Sequence, residues 1–552
     1  VTLGLGLTAA AFAVALAVSQ RTRTPPPRPN AHVAPPVLDP FRSIAPDTIP
    51  VEWRPWNAAT FAAARARGAP IAALVDVGWS ESCVLYAAAV TADAAAHAAL
   101  DELVAVRVDA DRRPDVFERY CASSLPAWVF LSPSGRVIEV ADAPAPAALA
   151  RRLRALGGEP EPARADPGLA ALRTQVPVPP PSSDLGTAAR DVLAALGQEW
   201  PAGAALEPDA PFLDGDALDF LALMARRGDA TARASYQDAL GRVAARVDSL
   251  GAIDQEWFPA PGRIHRARFL ATHATWLQHW QRAAAAGEAP GLTIAAATRT
   301  RAVLDSTFWD AERGLFRGAQ GTLVLHAGRP ALTSSERARM LASGHATMAA
   351  PHVPAVYPMT GNVRAAVALL ETPIGAPDVA ARRARGMRVL DAMRREWRAA
   401  GRVPRDFAAS GAGRLAPGDC EWLGDVAELG RAILFAARLA PAGPARAALH
   451  RDAVDLATRL TSHFVDSSTG LFFDVPPAEP NAPERMQVRL APLADSGRAA
   501  LFLCELSAAT SDGRWSSAAR RAASGWTRAV RGHGAFAAAP FAAAAAQLED
   551  LP

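Results

Sequence analysis

The chain has no lysine: every one of its 58 basic residues is arginine. Schiff-base catalysis, pyridoxal phosphate attachment and a Walker-type phosphate loop all need a lysine amine, so all three are excluded. A GC-rich coding sequence accounts for this bias and for the excess of alanine. Cysteine is scarce too. Cys83, Cys121, Cys420 and Cys504 are too few and too scattered over 552 residues for a disulfide framework or a zinc cluster. Eleven histidines include no HExxH or similarly close ligand spacing, so no metal and no other cofactor is expected. Charge of one sign is also lacking, since 58 basic against 55 acidic residues leave +3. No basic block interleaved with aromatics is present to follow a phosphate backbone, and nucleic acid is not an expected partner.

What the sequence does have is length and apolar surface, half of its residues being apolar, which suffices for large buried cores. The run VTLGLGLTAAAFAVALAVS at 1–19 has about the minimum spanning length and reads as a signal peptide or membrane anchor. Ala17-Val18-Ser19 suits cleavage, while the near-spanning length suits a retained anchor. Arg21 and Arg23 follow the run and, by the positive-inside rule, would keep the body cytoplasmic. The expectation is an exported or membrane-anchored bacterial protein. Residues 20–50 and 157–185 are Pro-rich linkers that enclose a small domain at 51–156 and leave a large one at 186–552.

In the small domain, APIAALVDVGW (69–79) and ELVAVRVDAD (102–111) read as buried strands, and AWVFLSPSGRVIEV (127–140) as a hairpin turning at Ser134-Gly135. With Ala-rich helices between them the order is βαβαββα, that of thioredoxin. The large domain has helical periodicity nearly throughout. It repeats itself: FWDAERGLFRG (308–318) and FVDSSTGLFFD (464–474) share F-x-D-x-x-x-G-L-F, and PMTGNVRAAVALLE (358–371) parallels LADSGRAALFLCEL (493–506). Recurrence of a turn followed by a helix start implies stacked helical hairpins, closing into an α/α toroid or left as an open solenoid.

The stretches VEWRPWNAATFAAARARGAPIAALVDVGWSESC (51–83), VAVRVDADRRPDVFERY (104–120) and LPAWVFLSPSG (125–135) resemble the spermatogenesis-associated protein 20 family. WLGDVAELGRAIL (422–434), FVDSSTGLFFDVPP (464–477) and PLADSGRAALFLCEL (492–506) follow in that family's order. The resemblance implies a multidomain protein, an α/β thioredoxin-like domain followed by an all-α (α/α)6 toroid of six-hairpin glycosidase-like type. This chain departs from the family at the dithiol. Aligned through Trp79, Cys83 takes the first thiol position and Tyr86 replaces the second. A register one residue earlier puts Ser82 and Leu85 at the two positions and leaves Cys83 between them. The resemblance also places Pro126 as the cis-proline facing the active site, and IHRARFLATHA (264–274) on a family stretch that retains His265 and Arg268 but has lost its acidic residues.

Three candidates for catalysis follow: Cys83, Pro126 and His265. Cys83 opens a helix, where the macrodipole lowers a thiol pKa, although Glu81 opposes this and no second thiol three residues on can resolve a mixed disulfide. Cys121 is a poor partner, expected at a helix end beyond bridging distance. In the large domain, Asp254, Trp257, Asp425 and Asp495 are the candidates for substrate binding: carboxylates at loop-to-helix junctions and a flat aromatic face suit a sugar. Asp and Glu also gather at helix N-termini for capping alone. The leading expectation is a thioredoxin-domain-containing protein with a degenerate CxxC that binds an unknown small molecule, carbohydrate or protein partner through its toroid. The alternatives are a monothiol redox protein acting through Cys83, or an epimerase- or hydrolase-like sugar enzyme.

Overall fold

The computed structural model describes residues 51–551 apart from 121–124, 157–165, 175–183, 201–214, 248–252, 254, 261–262, 322–323, 327–345, 349–352, 377, 410–414 and 528. The apolar run at 1–19, Cys121 and Asp254 therefore lie outside the described residues. Among the described residues no helix is long and apolar enough to cross a membrane.

The small domain follows the order α1 (Ala58–Arg67), β1 (Ile71–Asp76), α2 (Glu81–Ala92), α3 (Ala94–Asp101), β2 (Val104–Asp109), α4 (Pro114–Tyr120), β3 (Ala127–Leu131), β4 (Val137–Asp142), α5 (Pro146–Leu156). Its sheet runs β2-β1-β3-β4, with β1 parallel to β2 and antiparallel to β3. Strand β1 is buried along its whole length, so alternate residues serve two cores. Ile71, Ala73 and Val75 pack with Trp56, Phe61 and Cys83; Ala72 and Leu74 pack with Trp128, Phe130 and Leu149. The β3–β4 hairpin turns through Gly135 at φ 91°, a conformation that glycine adopts without a Cβ clash. The Leu125–Pro126 peptide leading into β3 is cis.

A short helix, α6 (Pro167–Arg173), interrupts the stretch expected as a linker. The large domain then alternates outer and inner helices: α7 (Leu185–Glu199), α8 (Gly215–Arg226), α9 (Ala230–Arg246), α10 (Leu270–Ala285), α11 (Pro290–Val303), α12 (Met359–Leu370), α13 (Val379–Ala400), α14 (Leu423–Leu439), α15 (Pro444–Arg459), α16 (Leu493–Thr510), α17 (Gly513–Ser524), α18 (Ala535–Glu549). Inner helices α8, α10, α12, α14, α16 and α18 pack each on the next, and α18 returns onto α8, so the ring closes. Close approach needs glycine: a Cβ on Gly497 of α16 would lie 2.2 Å from the Phe541 amide nitrogen of α18.

The F-x-D-x-x-x-G-L-F repeat is the hinge by which an outer helix passes to the next inner one. Outer helices α11 and α15 each end in a π turn, at Leu304–Phe308 and Leu460–Phe464. Asp310 and Asp466 then accept backbone N–H groups two residues on, from Glu312 at 3.1 Å and Ser468 at 2.9 Å. Gly314 and Gly470 take φ of 68° and 76°, and the chain closes a bridge, Trp309 to Phe316 and Val465 to Phe472. Further strands edge the mouth of the ring: β5 (Gln255–Ala260) and β6 (Arg263–Phe269) with β7 (Ala319–Gly321), and β8 (Val356–Pro358) with β9 (Asp406–Ala409) and β10 (Leu415–Pro417). Those of three or four residues carry too few alternations to register in the sequence.

Ion pairs link the inner helices across the ring. Arg364 meets Glu428 at 3.1 Å and Asp216 at 3.4 Å, Arg498 also holds Asp216, and Arg431 meets Glu505 at 3.2 Å. Burial opposes ionisation of Asp216, yet Arg498 and Arg364 hold its carboxyl below the usual range. A polar cavity of about 540 Å³ is lined by Arg364, Glu428, Arg431 and Glu505, and a larger open space lies at the mouth.

Candidate functional site

The mouth, where inner helices begin, is roofed by the small domain. Arg119 of α4 is fully buried and pairs with buried Asp474 of the ring at 2.8 Å, donating also to the Val488 carbonyl at 2.9 Å. Arg112 Nε meets Asp406 Oδ1 at 2.8 Å, and Arg405 of the ring donates to the Asp111 carbonyl. Trp79 stacks edge-on against Phe269 with centroids 5.0 Å apart.

Between roof and ring lies a cleft of about 820 Å³, open mouth included, whose lining includes the apolar Trp79, Phe269, Pro354, Val356 and Pro358. The same lining carries Asp109, Asp111, Asp406, Asp425, Arg112 and Arg405. Local structure sets each of these. Asp109 ends β2, and its Oδ1 accepts the Asp111 and Arg112 N–H groups at 3.0 and 3.4 Å, an Asx turn that swings Asp111 toward Trp79. The Trp79 indole N–H donates to Asp111 Oδ2 at 2.6 Å. Asp406 starts β9, and Asp425 stands in the first turn of α14 without capping it. Asp425 instead accepts from Arg405 Nη1 at 3.0 Å and Thr360 Oγ1 at 2.5 Å.

Desolvation governs the electrostatics. Burial raises the Asp111, Asp406 and Asp425 carboxyls, with Trp79, Arg112 and Arg405 respectively among the partners that oppose it. Asp109 is raised to about 7, by burial first and then by Asp111, Asp76 and Asp406. A carboxyl that ionises near neutral pH beside other carboxylates is a proton donor or acceptor in waiting.

The residues singled out from sequence are distributed as follows. Asp425 lines the cleft. Asp495 lies beside it but is turned onto the Trp422 indole N–H at 2.7 Å and onto Arg498, outside the cleft lining. Trp257 and His265 face each other in register on β5 and β6; their side chains, like those of Glu81, Ser82 and Leu85, lie outside the described residues. Cys83 is 1% exposed, and its thiol is pushed up to about 12, chiefly by burial, with Asp76 and Asp109 adding to it. Tyr86, at the second thiol position when the chain is aligned through Trp79, is a strut: its OH donates to the Pro144 carbonyl at 2.9 Å and accepts from Trp128 Nε1 at 2.8 Å.

Asp109, Asp111, Arg112, Arg405 and Asp406 were not recognised as site residues. The first three belong to RVDADRRPD, whose acidic pair two apart at a strand end was the available signal. Arg405 and Asp406 had none, lying just before and at the start of a four-residue strand too short to show an alternation.

The fold and site together define a helical ring roofed by a small α/β domain, with a shared acidic cleft. A family model described as Thioredox_DsbH, protein of unknown function, DUF255, matches residues 44–136, the small domain alone. No curated protein matches the sequence. Among solved structures, the chain is similar to D-mannose isomerase at 10% identity, with TM-score 0.44 over 63% of this chain and 88% of that one. It is similar to a family 76 glycoside hydrolase from a bovine Bacteroides thetaiotaomicron strain at 10% identity, with TM-score 0.44 over 67% and 77%. It is also similar to unsaturated glucuronyl hydrolase from Bacillus sp. GL1 at 14% identity, with TM-score 0.44 over 66% and 96%.

Proposed function

We propose that this protein binds a small polyhydroxylated ligand, of carbohydrate type, in the cleft between its two domains, and that the small domain is a thioredoxin-like frame serving as the roof of that site. The observation that carries the reading is the convergence of Asp109, Asp111, Asp406, Asp425, Arg112 and Arg405 in one cleft whose lining also holds Trp79 and Phe269. A sugar offers C–H faces to aromatic rings and hydroxyls to carboxylates and guanidiniums. Buried Cys83, with its raised thiol, favours this reading over monothiol redox chemistry, which needs an exposed thiolate.

A second reading, turnover by acid–base catalysis, is favoured by one observation, the elevated Asp109 carboxyl beside Asp111. Proton transfer at a sugar oxygen or carbon needs a group that is protonated near neutral pH together with an ionised partner. The apolar run at 1–19 supports export or membrane anchoring, which fractionation of expressing cells tests directly.

The binding reading is tested by a thermal-shift screen of the full chain against monosaccharides. A ligand at about 100 times its Kd stabilises by about 2.7 kcal/mol, and Asp425→Asn should abolish the response of any ligand found. If no monosaccharide shifts the transition at millimolar concentration, the reading is wrong.

A further inference from the structure

The charges of the cleft do not balance. Arg112 is spent on Asp406 at 2.8 Å and Arg405 on Asp425 at 3.0 Å. Asp109 and Asp111 are left with neutral donors: two backbone N–H groups on Asp109 and the Trp79 indole on Asp111. Independently, Asp406 is 2% exposed and its Oδ2 is buried with no hydrogen-bond partner, although Asp406 lines the same cleft. Buried acceptors are nearly always satisfied, and Asp109 and Asp111, lining the same cleft with no cationic hydrogen-bond partner, leave a place there for a positive charge carried by a ligand. Space for it exists. Position 78 is glycine, and a Cβ there would stand 3.6 Å from Pro354 Cγ and 3.8 Å from Asp109 Oδ2, in ordinary contact, so a methyl-sized space adjoins the carboxylate.

Resting on the binding function proposed above, we infer that the ligand carries a protonated amine on its hydroxylated body, with the ammonium received by Asp109 and Asp111. An organic cation fits better than a metal ion. Among the described residues no group of three or more His, Cys, Asp or Glu is arranged to hold one. The apolar lining of Trp79 and Phe269 gives the remainder of a ring-shaped amine its contact, and adds cation–π attraction for a charge held near the indole. A ligand bearing phosphate or carboxylate would meet four carboxylates and two already engaged guanidiniums.

Calorimetric titration of the full chain at neutral pH with matched pairs tests this: glucose with glucosamine, galactose with galactosamine, mannose with mannosamine. At least one hexosamine should bind ten-fold or more tighter than its parent hexose. The Asp109→Asn and Asp111→Asn variants, checked for a cooperative melt, should narrow that ratio to less than three-fold. Equal binding within every pair overturns the ammonium assignment and leaves the polyol reading standing. Binding of none of the six overturns both. The wild-type ratios decide the matter even if a variant fails to fold.

Discussion

Replacing Asp109 by Asn should flatten the dependence of stability on pH. In the unfolded chain the carboxyl ionises near 4, and in the folded protein at about 7 because burial and the neighbouring Asp111, Asp76 and Asp406 disfavour the anion. The folded state therefore holds a proton that the unfolded state has lost between those values, and stability falls as pH rises through that window. The contribution is fully present below about pH 4 and gone above about pH 7. A difference of that size corresponds to at most about 4 kcal/mol; partial exposure of Asp109 and sharing of the proton with Asp111 reduce the expectation to about 1–3 kcal/mol. Asn reproduces the neutral form and keeps an acceptor for the Asp111 and Arg112 N–H groups. Urea denaturation of both proteins at pH 5, 6, 7 and 8 gives the difference directly, other titrating groups cancelling to first order. The variant should gain relative to wild type as pH rises, by about 0.7–2 kcal/mol across the series, which begins one unit inside the window. A difference that stays constant to within about 0.5 kcal/mol, or that changes in the opposite direction, would refute the assignment of a neutral-range proton to this pair.

Three further expectations concern the frame. Cys83 should resist alkylation in the native protein at pH 8 and react on denaturation, because its thiol stays protonated and covered; rapid native labelling, absent in Cys83→Ser, would restore the monothiol alternative. Arg119→Met should cost about 3–5 kcal/mol by stranding the buried Asp474 carboxylate, while the Arg119→Met/Asp474→Asn double variant should be less damaged than the sum of its single variants. Additive losses in that cycle would mean that the pair does not couple roof to ring. Gly497→Ala should destabilise by about 1–3 kcal/mol or more despite alanine's better helix propensity, since the new methyl meets the Phe541 backbone, whereas Gly197→Ala on α7, with open space around it, should stabilise by about 0.5–1 kcal/mol. Thermal melts of the two variants decide this, and equal effects would contradict the packing described for α16 and α18.

Local patterns made much of the architecture legible in advance. The β-branched runs at 71–76 and 104–109, the Gly135 turn and the F-x-D-x-x-x-G-L-F recurrence each encode a structure formed by neighbours in sequence, through period, turn chemistry and Asx bonding. Asp425 was recognisable because a carboxylate after a loop marks a helix start whatever it does there. Tertiary packing decided the rest. Only the stacking of the roof on the ring brings Asp109 and Asp111 within one cleft of Arg405 and Asp406, nearly 300 positions away. Ring closure depends on α18 meeting α8 from the opposite end of the large domain. The fate of Cys83 shows the same division: its sequence position at a helix start favours a thiolate, and the burial that only the folded core supplies outweighs that and holds the proton on.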